Sequence, residues 1–437
     1  MMDRTMTGGS VGGARWGSAA RAIREVEFAF ENQPMWADHM AAAGLRPVDI
    51  RSEEDIRRIP LTQKADYRRG FPAGVLIRGT SVNDRLVLKS QSSGTGGERL
   101  VTVAHTYALA ERMSATMTIH PGLRERFLEF RHQRPARYAA PNCSDIECAS
   151  PHTTLQDRIL PDGTLVLPVA HDLLATSESM LDQAAQEIDD WRTDWLYTDP
   201  THLSHLIRHC QGQNILAPAT CRGLALTYTA CTQTARRQID GYFDASVPRA
   251  EIVSMSELGW LAMECPNGQL HLNSSTFYLE LIADNEAPLA ETMEELVVTS
   301  LGDRLCPHIR YRTGDMYTVL GDCTCGHPFP AVRHEGRRRD MIVRDTKIVL
   351  TPKQLDELIG GDCVDLYKLE QLTEDTFDFR YIPADHPQHD CESHLRSVLV
   401  DSLRPGHINI EATHYIPCER SGKFLSCVSA VSQRLVL

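Results

Sequence analysis

Residues 90–106 read "SQSSGTGGERLVTVAHT", with Ser92, Ser93 and Thr95 interleaved among Gly94, Gly96 and Gly97, between two apolar, β-branched runs. Two rigid phosphate-binding fingerprints fail here. No Lys-Ser or Lys-Thr follows the last glycine, and Arg99 stands where GxGxxG needs its third glycine. Both fingerprints also lead into a helix whose N-terminus helps hold phosphate, whereas "RLVTVAHT" has the pattern of a strand. Two readings remain for the loop. It is a plain hairpin turn, or a flap whose backbone N–H groups and hydroxyls close around a polyphosphate.

The rest of the composition narrows the setting. A chain of 437 residues has room for two or three domains and a large core. Its net charge of −13 opposes a broad nucleic-acid surface, which needs excess Lys and Arg. No apolar run approaches the roughly 18–20 residues of a membrane span. The start, "MMDRTMTGGSVGGARWG", lacks the apolar stretch of a secretory signal, and we expect residues 1–17 to be a disordered leader. The 13 cysteines are scattered rather than framed for disulfides, which suits a reducing cytoplasm.

From Ser18 to about Ala42 the apolar spacing is helical. "IPLTQKADYRRGFP" (59–72) reads as an extended entry, a short helix and a stop between two prolines. "DRLVLKS" predicts a strand, and "YALAERMSATMT" a helix after the second strand. Alternating helix and strand patterns from 177 to 243 indicate α/β architecture, and strands dominate from Leu258 to Thr318. A polar turn, "RHEGRRRD", follows. We therefore expect an α/β fold, with a large domain of mixed sheets and helices over 18–336 and a small mobile α+β domain over 337–437.

Four further stretches bear on the loop: "SMSELG" (254–259), "RYRTGD" (310–315), "GRRRDMI" (336–342) and "SGKF" (421–424). With the Ser/Gly loop they form a series in fixed order, and it resembles the adenylate-forming superfamily, specifically its phenylacetate–CoA-ligase-like branch. "IPLTQKADYRRGFP", "MECPNGQLH" and "CTCGHPFPAVRHEGR" point to the same branch. The likeness runs from about Ile59 to the C-terminus and decides for the flap.

The resemblance implies ATP-dependent activation of a small acid, expected to be aromatic, as a mixed anhydride with AMP. Pyrophosphate leaves, and a thiol or amine then attacks. Lys423 matches the family's C-terminal lysine, which bridges the acyl oxygen and the α-phosphate, where growing negative charge must be neutralised. Asp315 would accept from the ribose hydroxyls. Glu257, next to Ser256, falls on the family's Mg²⁺-binding glutamate. Ser92, Ser93, Gly94, Thr95, Gly96, Gly97, Ser256 and Arg337 would hold the nucleotide.

Cys265, His271, Cys323 and Cys325 offer thiolate and imidazole ligands in a closed set of four, which suits structural Zn²⁺; the plain alternative is four unrelated side chains. His202, His205 and His209 share a helix face that we read as solvated.

The sequence departs from the family at several points. Val253 and Ser254 stand where an adenine-stacking Tyr-Gly is expected, and "TYTACTQ" (227–233) replaces a Gly-Gly-Glu strand. Arg339 replaces the usual hinge Asp or Lys, and "VRDTKIV" (343–349) lacks the glycine beside which the pantetheine arm of CoA passes. The expected acceptor is therefore CoA, a carrier protein or an amine. Two other readings stay open. One is a diazotase that activates nitrite through AMP to diazotise an amino-aryl acid; the other is an inert relative that only binds nucleotide.

Overall fold

The computed structural model describes residues 13–91, 101–129, 133–140, 153–283, 293–385 and 390–435. Order begins earlier than the expected leader allows. Strand β1 (Arg15–Trp16) pairs with Glu280 and Leu279, and Trp16 is buried in the core. The indole's apolar area explains why the segment is held. Ser18 caps the helix Ala19–Asn32 by accepting from the Arg21 amide. The single helix expected to Ala42 is two, because Gln33 is extended and Pro34 opens a second helix, Pro34–Ala42.

β2 (Val87–Gln91) and β3 (Val101–His105) form an antiparallel hairpin with Gln91 opposite Val101, so residues 92–100 join its ends. The helix Thr106–Met117 follows directly. Its buried Arg112 pairs with Asp303 at 2.8 Å and donates to the Leu258 carbonyl at 3.1 Å. Breaking such a buried pair costs about 3–5 kcal/mol, so this helix is fixed against the turn that carries Glu257.

β4 (Pro135–Tyr138), β5 (Leu165–Val166), β6 (Trp195–Thr198), β7 (Gly223–Leu226) and β8 (Arg249–Met255) are parallel, in the order β5-β4-β6-β7-β8. They are short and apolar because helices cover them. Leu196, Leu224 and Leu226 face the helices Glu178–Asp190, Pro200–Gly212 and Gln233–Tyr242, while Trp195, Ala225 and Ile252 face the other side. Within the second of these helices His202 is fully buried against Asp199, and His209 pairs with Asp182. That face is packed, not solvated.

The sheet continues antiparallel through β9 (Gly259–Glu264), β10 (Leu270–Leu272), β11 (Phe277–Ile282), β12 (Met293–Ser300), β13 (Tyr311–Gly321) and β14 (Ala331–Arg337). Together with β1 and the parallel strands it makes one sheet of 12 strands. The expected polar turn "RHEGR" is in fact strand β14. Its polar members find partners on β13: His334 Nε2 lies 3.4 Å from Asp315 Oδ1, and Glu335 accepts from Thr318 Oγ1 at 2.7 Å.

A single turn, Arg338–Asp340, leads to β15 (Ile342–Arg344) and β16 (Lys347–Leu350), a hairpin. The helix Pro352–Ile359 follows, and then β17 (Val364–Gln371), β18 (Thr376–Pro383), β19 (His407–Ala412) and β20 (Cys427–Ser429), in the order β19-β18-β17-β20. This α+β unit has its own core, built on Tyr367, Phe377, Phe379 and Leu395. Contrary to the expected absence of disulfides, Cys363 and Cys391 are bonded, with Cα atoms 5.4 Å apart, which ties the start of β17 to the helix Cys391–Leu403. Among the described residues, no helix is long and apolar enough to cross a membrane.

Candidate active site

The C-terminal ends of parallel strands are where open α/β sheets leave a crevice, and β6, β7 and β8 end side by side. Beyond them lie Asp199, Tyr228 and the turn Ser256–Leu258, which carries Glu257. Asp199 is fixed twice. It caps the helix Pro200–Gly212 through the Thr201 amide and accepts from Thr229 Oγ1 at 2.9 Å.

Two cavities open at this edge. The smaller is bounded by Thr229, Val253, Asp315, His334 and the C-terminal unit's Tyr367. The larger is bounded by Lys64, Glu257, Tyr197, Trp260 and Trp195. Five residues border both: Tyr228, Ser254, Arg337, Arg339 and Lys423. Lys423 comes from the C-terminal unit and crosses to the large domain, where Nζ donates to the Tyr228 carbonyl at 3.0 Å. A cation is thus placed on the boundary between the two spaces.

Asp315, on β13, sits opposite Arg337 on β14. Arg337 Nε lies 3.4 Å from Asp315 Oδ1, and His334 Nε2 also lies at 3.4 Å. Burial alone would push this carboxyl up; the hydrogen bond from His334 and the Arg337 charge outweigh it and hold it below the usual range. It is therefore an ionised acceptor in the wall of the smaller cavity. Burial likewise works against the Arg337 charge, and Asp315, Asp340 and Glu257 outweigh it.

Glu257 is buried, and its Oε1 meets Lys64 Nζ at 3.3 Å and the Tyr311 hydroxyl at 3.4 Å. Lys64 belongs to the "IPLTQK" stretch, to which the sequence reading gave no chemical role. Backbone pairing brings it here: the Thr62 amide donates to the Arg310 carbonyl, and the Arg312 amide to the Thr62 carbonyl. Arg310 locks the junction through a buried pair with Glu280 at 3.0 Å. Burial pulls the Lys64 ammonium down against the opposing pull of Glu257. A carboxylate lining the cavity is the hard oxygen donor that Mg²⁺ takes. Ser256 lines the same cavity. Ser92, Ser93, Gly94, Thr95, Gly96 and Gly97 lie outside the described residues; of the strands that flank them, Leu88 lines the larger cavity, as does Thr106 just after β3.

Cys265, His271, Cys323 and Cys325 converge away from these cavities, their ligand atoms all within 4.8 Å of one another. The turn after β9 supplies Cys265, β10 supplies His271, and the β13–β14 turn supplies the other two. Cys265 and Cys323 Sγ are 3.8 Å apart, too far for a disulfide and equal to the edge of a tetrahedron with metal–sulfur bonds of about 2.3 Å. Burial and the neighbouring His327 bring the His271 imidazole down to about 4, which keeps it in the neutral form that binds metal. The set fits Zn²⁺.

No protein-family model matches the chain. It is 27% identical over 348 residues to the phenylacetate-coenzyme A ligase of Escherichia coli (strain K12), covering 76% of this chain and 73% of the relative. It is 25% identical over 372 residues to the ligase of the same name from Thermus thermophilus, covering 82% and 78%. Among solved structures, 2-hydroxyisobutyryl-CoA ligase in its postadenylation state with R3-HIB-AMP aligns at TM-score 0.70 and 16% identity, covering 96% and 90%. The same ligase in its thioesterification state aligns at only 0.56, with 17% identity and the same coverage. With the described motifs gathered around one boundary, the chain is similar in sequence to phenylacetate-coenzyme A ligases and in fold to an adenylate-forming ligase, the likeness that its ordered motifs led us to expect.

Proposed function

We propose that this protein is an ATP-dependent, AMP-forming enzyme that activates a small acid as an acyl-adenylate and passes the acyl group to a thiol. The observation that carries this is Lys423, held at the border of the two cavities by the Tyr228 carbonyl. With nucleotide in the smaller cavity and acid in the larger, a carboxylate oxygen attacks the α-phosphorus. The bond from that phosphorus to the bridging oxygen breaks, and pyrophosphate leaves with the electron pair. Negative charge grows where the ammonium already sits, so the lysine stabilises the transition state without rearranging. Asp315 holds the ribose, and Arg337 sits between ribose and phosphate.

Mg²⁺, held by Glu257, would neutralise the charge of the polyphosphate. Zn²⁺ at the Cys265–His271–Cys323–Cys325 set would be structural, because all four positions are filled by protein and none is left for substrate. The aromatic lining from Trp195, Tyr197 and Trp260 supports an aryl acid as substrate.

A second reading shares the adenylation step. The β15–β16 hairpin turns on Asp345 and Thr346, both left-handed at φ +48° and +62°, in the place of the glycine beside which CoA is expected to pass. Side chains at that turn disfavour free CoA; under the first reading the acceptor is then a carrier-protein thiol or an amine, and the second reading is nitrite-dependent diazotisation of an amino-aryl acid. An inert nucleotide-binding relative is opposed by the convergence of Lys423, Asp315 and Glu257 on the same pair of cavities. The test is exchange of labelled pyrophosphate into ATP across a panel of aryl acids, and across amino-aryl acids with nitrite. Acid-dependent exchange supports the first reading. Diazonium formation that requires nitrite selects the second, and no exchange with any acid or nitrite refutes both.

A further inference from the structure

Tyr228 is an anomaly of the backbone. It follows β7 at φ +77°, a conformation in which a β-carbon is strained and which glycine adopts freely. A glycine there would give the same turn and present the same carbonyl to Lys423. Strained residues persist at functional sites when the side chain is needed, so the ring is what has to be explained.

Tyr228 borders both cavities, and its ring packs edge-on to Tyr197, centroids 5.4 Å apart at 87°. Tyr197 lines only the larger cavity. It lies parallel to Trp260 at 6.0 Å and accepts from the indole Nε1 at 3.1 Å, which leaves it little freedom to turn. Trp260 is buried against Ile252 and Met263. The three rings therefore form a rigid corner, with Tyr228 as the member nearest Lys423.

We propose that Tyr228 is a positioning and specificity-determining residue for acid activation. Its ring closes the acid cavity against the nucleotide pocket and packs a flat aryl acid into the Tyr197–Trp260 corner. Its carbonyl holds Nζ of Lys423 at the end where the carboxylate must lie. One residue thus sets both the shape of the acid cavity and the place of the cation. This rests on the adenylation reading. An acid without a flat ring leaves part of the corner unfilled, and its carboxylate is less well aligned with the α-phosphorus.

The test is pyrophosphate exchange by the full chain with benzoate, phenylacetate and propionate, together with melting temperature, for wild type, Tyr228→Phe, Tyr228→Gly and Tyr228→Asn. Glycine and asparagine both tolerate the left-handed backbone, so the two truncations are independent. Tyr228→Phe should stay within about threefold of wild type, while both truncations raise KM for the aryl acid roughly tenfold or more and shrink its preference over propionate. Tyr228→Gly should still fold, since glycine takes the left-handed backbone without strain and this offsets part of the packing lost with the ring. Unchanged aryl preference in the truncated variants overturns the proposal alone. So does a loss in Tyr228→Phe equal to that in Tyr228→Gly, and so does failure of both truncations to fold, which would assign the ring to the core. A wild type with no acid-dependent exchange overturns the adenylation reading and this inference with it.

Discussion

Asp315 and Arg337 face each other across neighbouring strands, with Arg337 Nε 3.4 Å from Asp315 Oδ1. They are the point where the large sheet hands over to the C-terminal unit, because Arg337 ends β14 and the next turn leads into β15. On the proposed reading the carboxylate that takes the ribose is coupled to the residue that leads into the C-terminal unit, so that nucleotide binding and the approach to that unit would share one ion pair.

Replacing Asp315 with alanine should weaken ATP by roughly 1.5–3 kcal/mol for each charge-assisted hydrogen bond lost. It also leaves Arg337 without its nearest carboxylate. Calorimetry with ATP and with 2′-deoxy-ATP should show the discrimination between them shrinking in the variant. Unaltered affinity for both would remove Asp315 from the ribose site.

Purified protein should carry about one Zn²⁺ per chain, since three thiolates and one imidazole close a tetrahedral structural set. Replacing Cys323 and Cys325 together with serine should lower metal content and melting temperature in parallel. The β13–β14 turn would then lose its tie to β9 and β10. Metal-free protein, from a preparation made without chelator, would contradict the assignment.

The fold was legible in the sequence where periodicity and order agree. The helix–strand alternation from 177 to 243 became β6, β7 and the three helices that cover the parallel strands, and Lys423, Asp315 and Glu257 met at one pair of cavities. What was not legible depended on partners remote in the chain. "RHEGR" reads as a polar turn because its polar side chains find partners only when β13 and β14 pair. His202 looks solvated until Asp199 and the packed helices enclose it. Lys64 reaches Glu257 through backbone hydrogen bonds to residues some 250 positions away, which no local pattern encodes. Tyr228 stood in a stretch noted only for lacking glycine. Its φ was needed to show that the glycine conformation had been kept with a ring attached.

Transfer to free CoA should be slow compared with adenylate formation. Asp345 and Thr346 hold left-handed backbone at the β15–β16 turn, and a carboxylate there repels CoA's phosphates. Asp345→Gly should raise acyl-CoA formation and stabilise the protein slightly, since strain of about 1–3 kcal/mol per such residue is relieved in part. Mass spectrometry of products with ATP, acid and CoA decides. Rapid acyl-CoA formation by the wild type would contradict this expectation, whatever the variant does.

The central claim is that Lys423 neutralises the charge that develops as the acid attacks the α-phosphorus. The most direct measurement is acid-dependent pyrophosphate exchange by Lys423→Ala beside wild type, with ATP affinity and melting temperature recorded for both. We predict a loss of roughly 3–4 kcal/mol in transition-state stabilisation, a few hundred-fold in rate or more, with the fold unchanged. Exchange by Lys423→Ala at the wild-type rate would contradict the account.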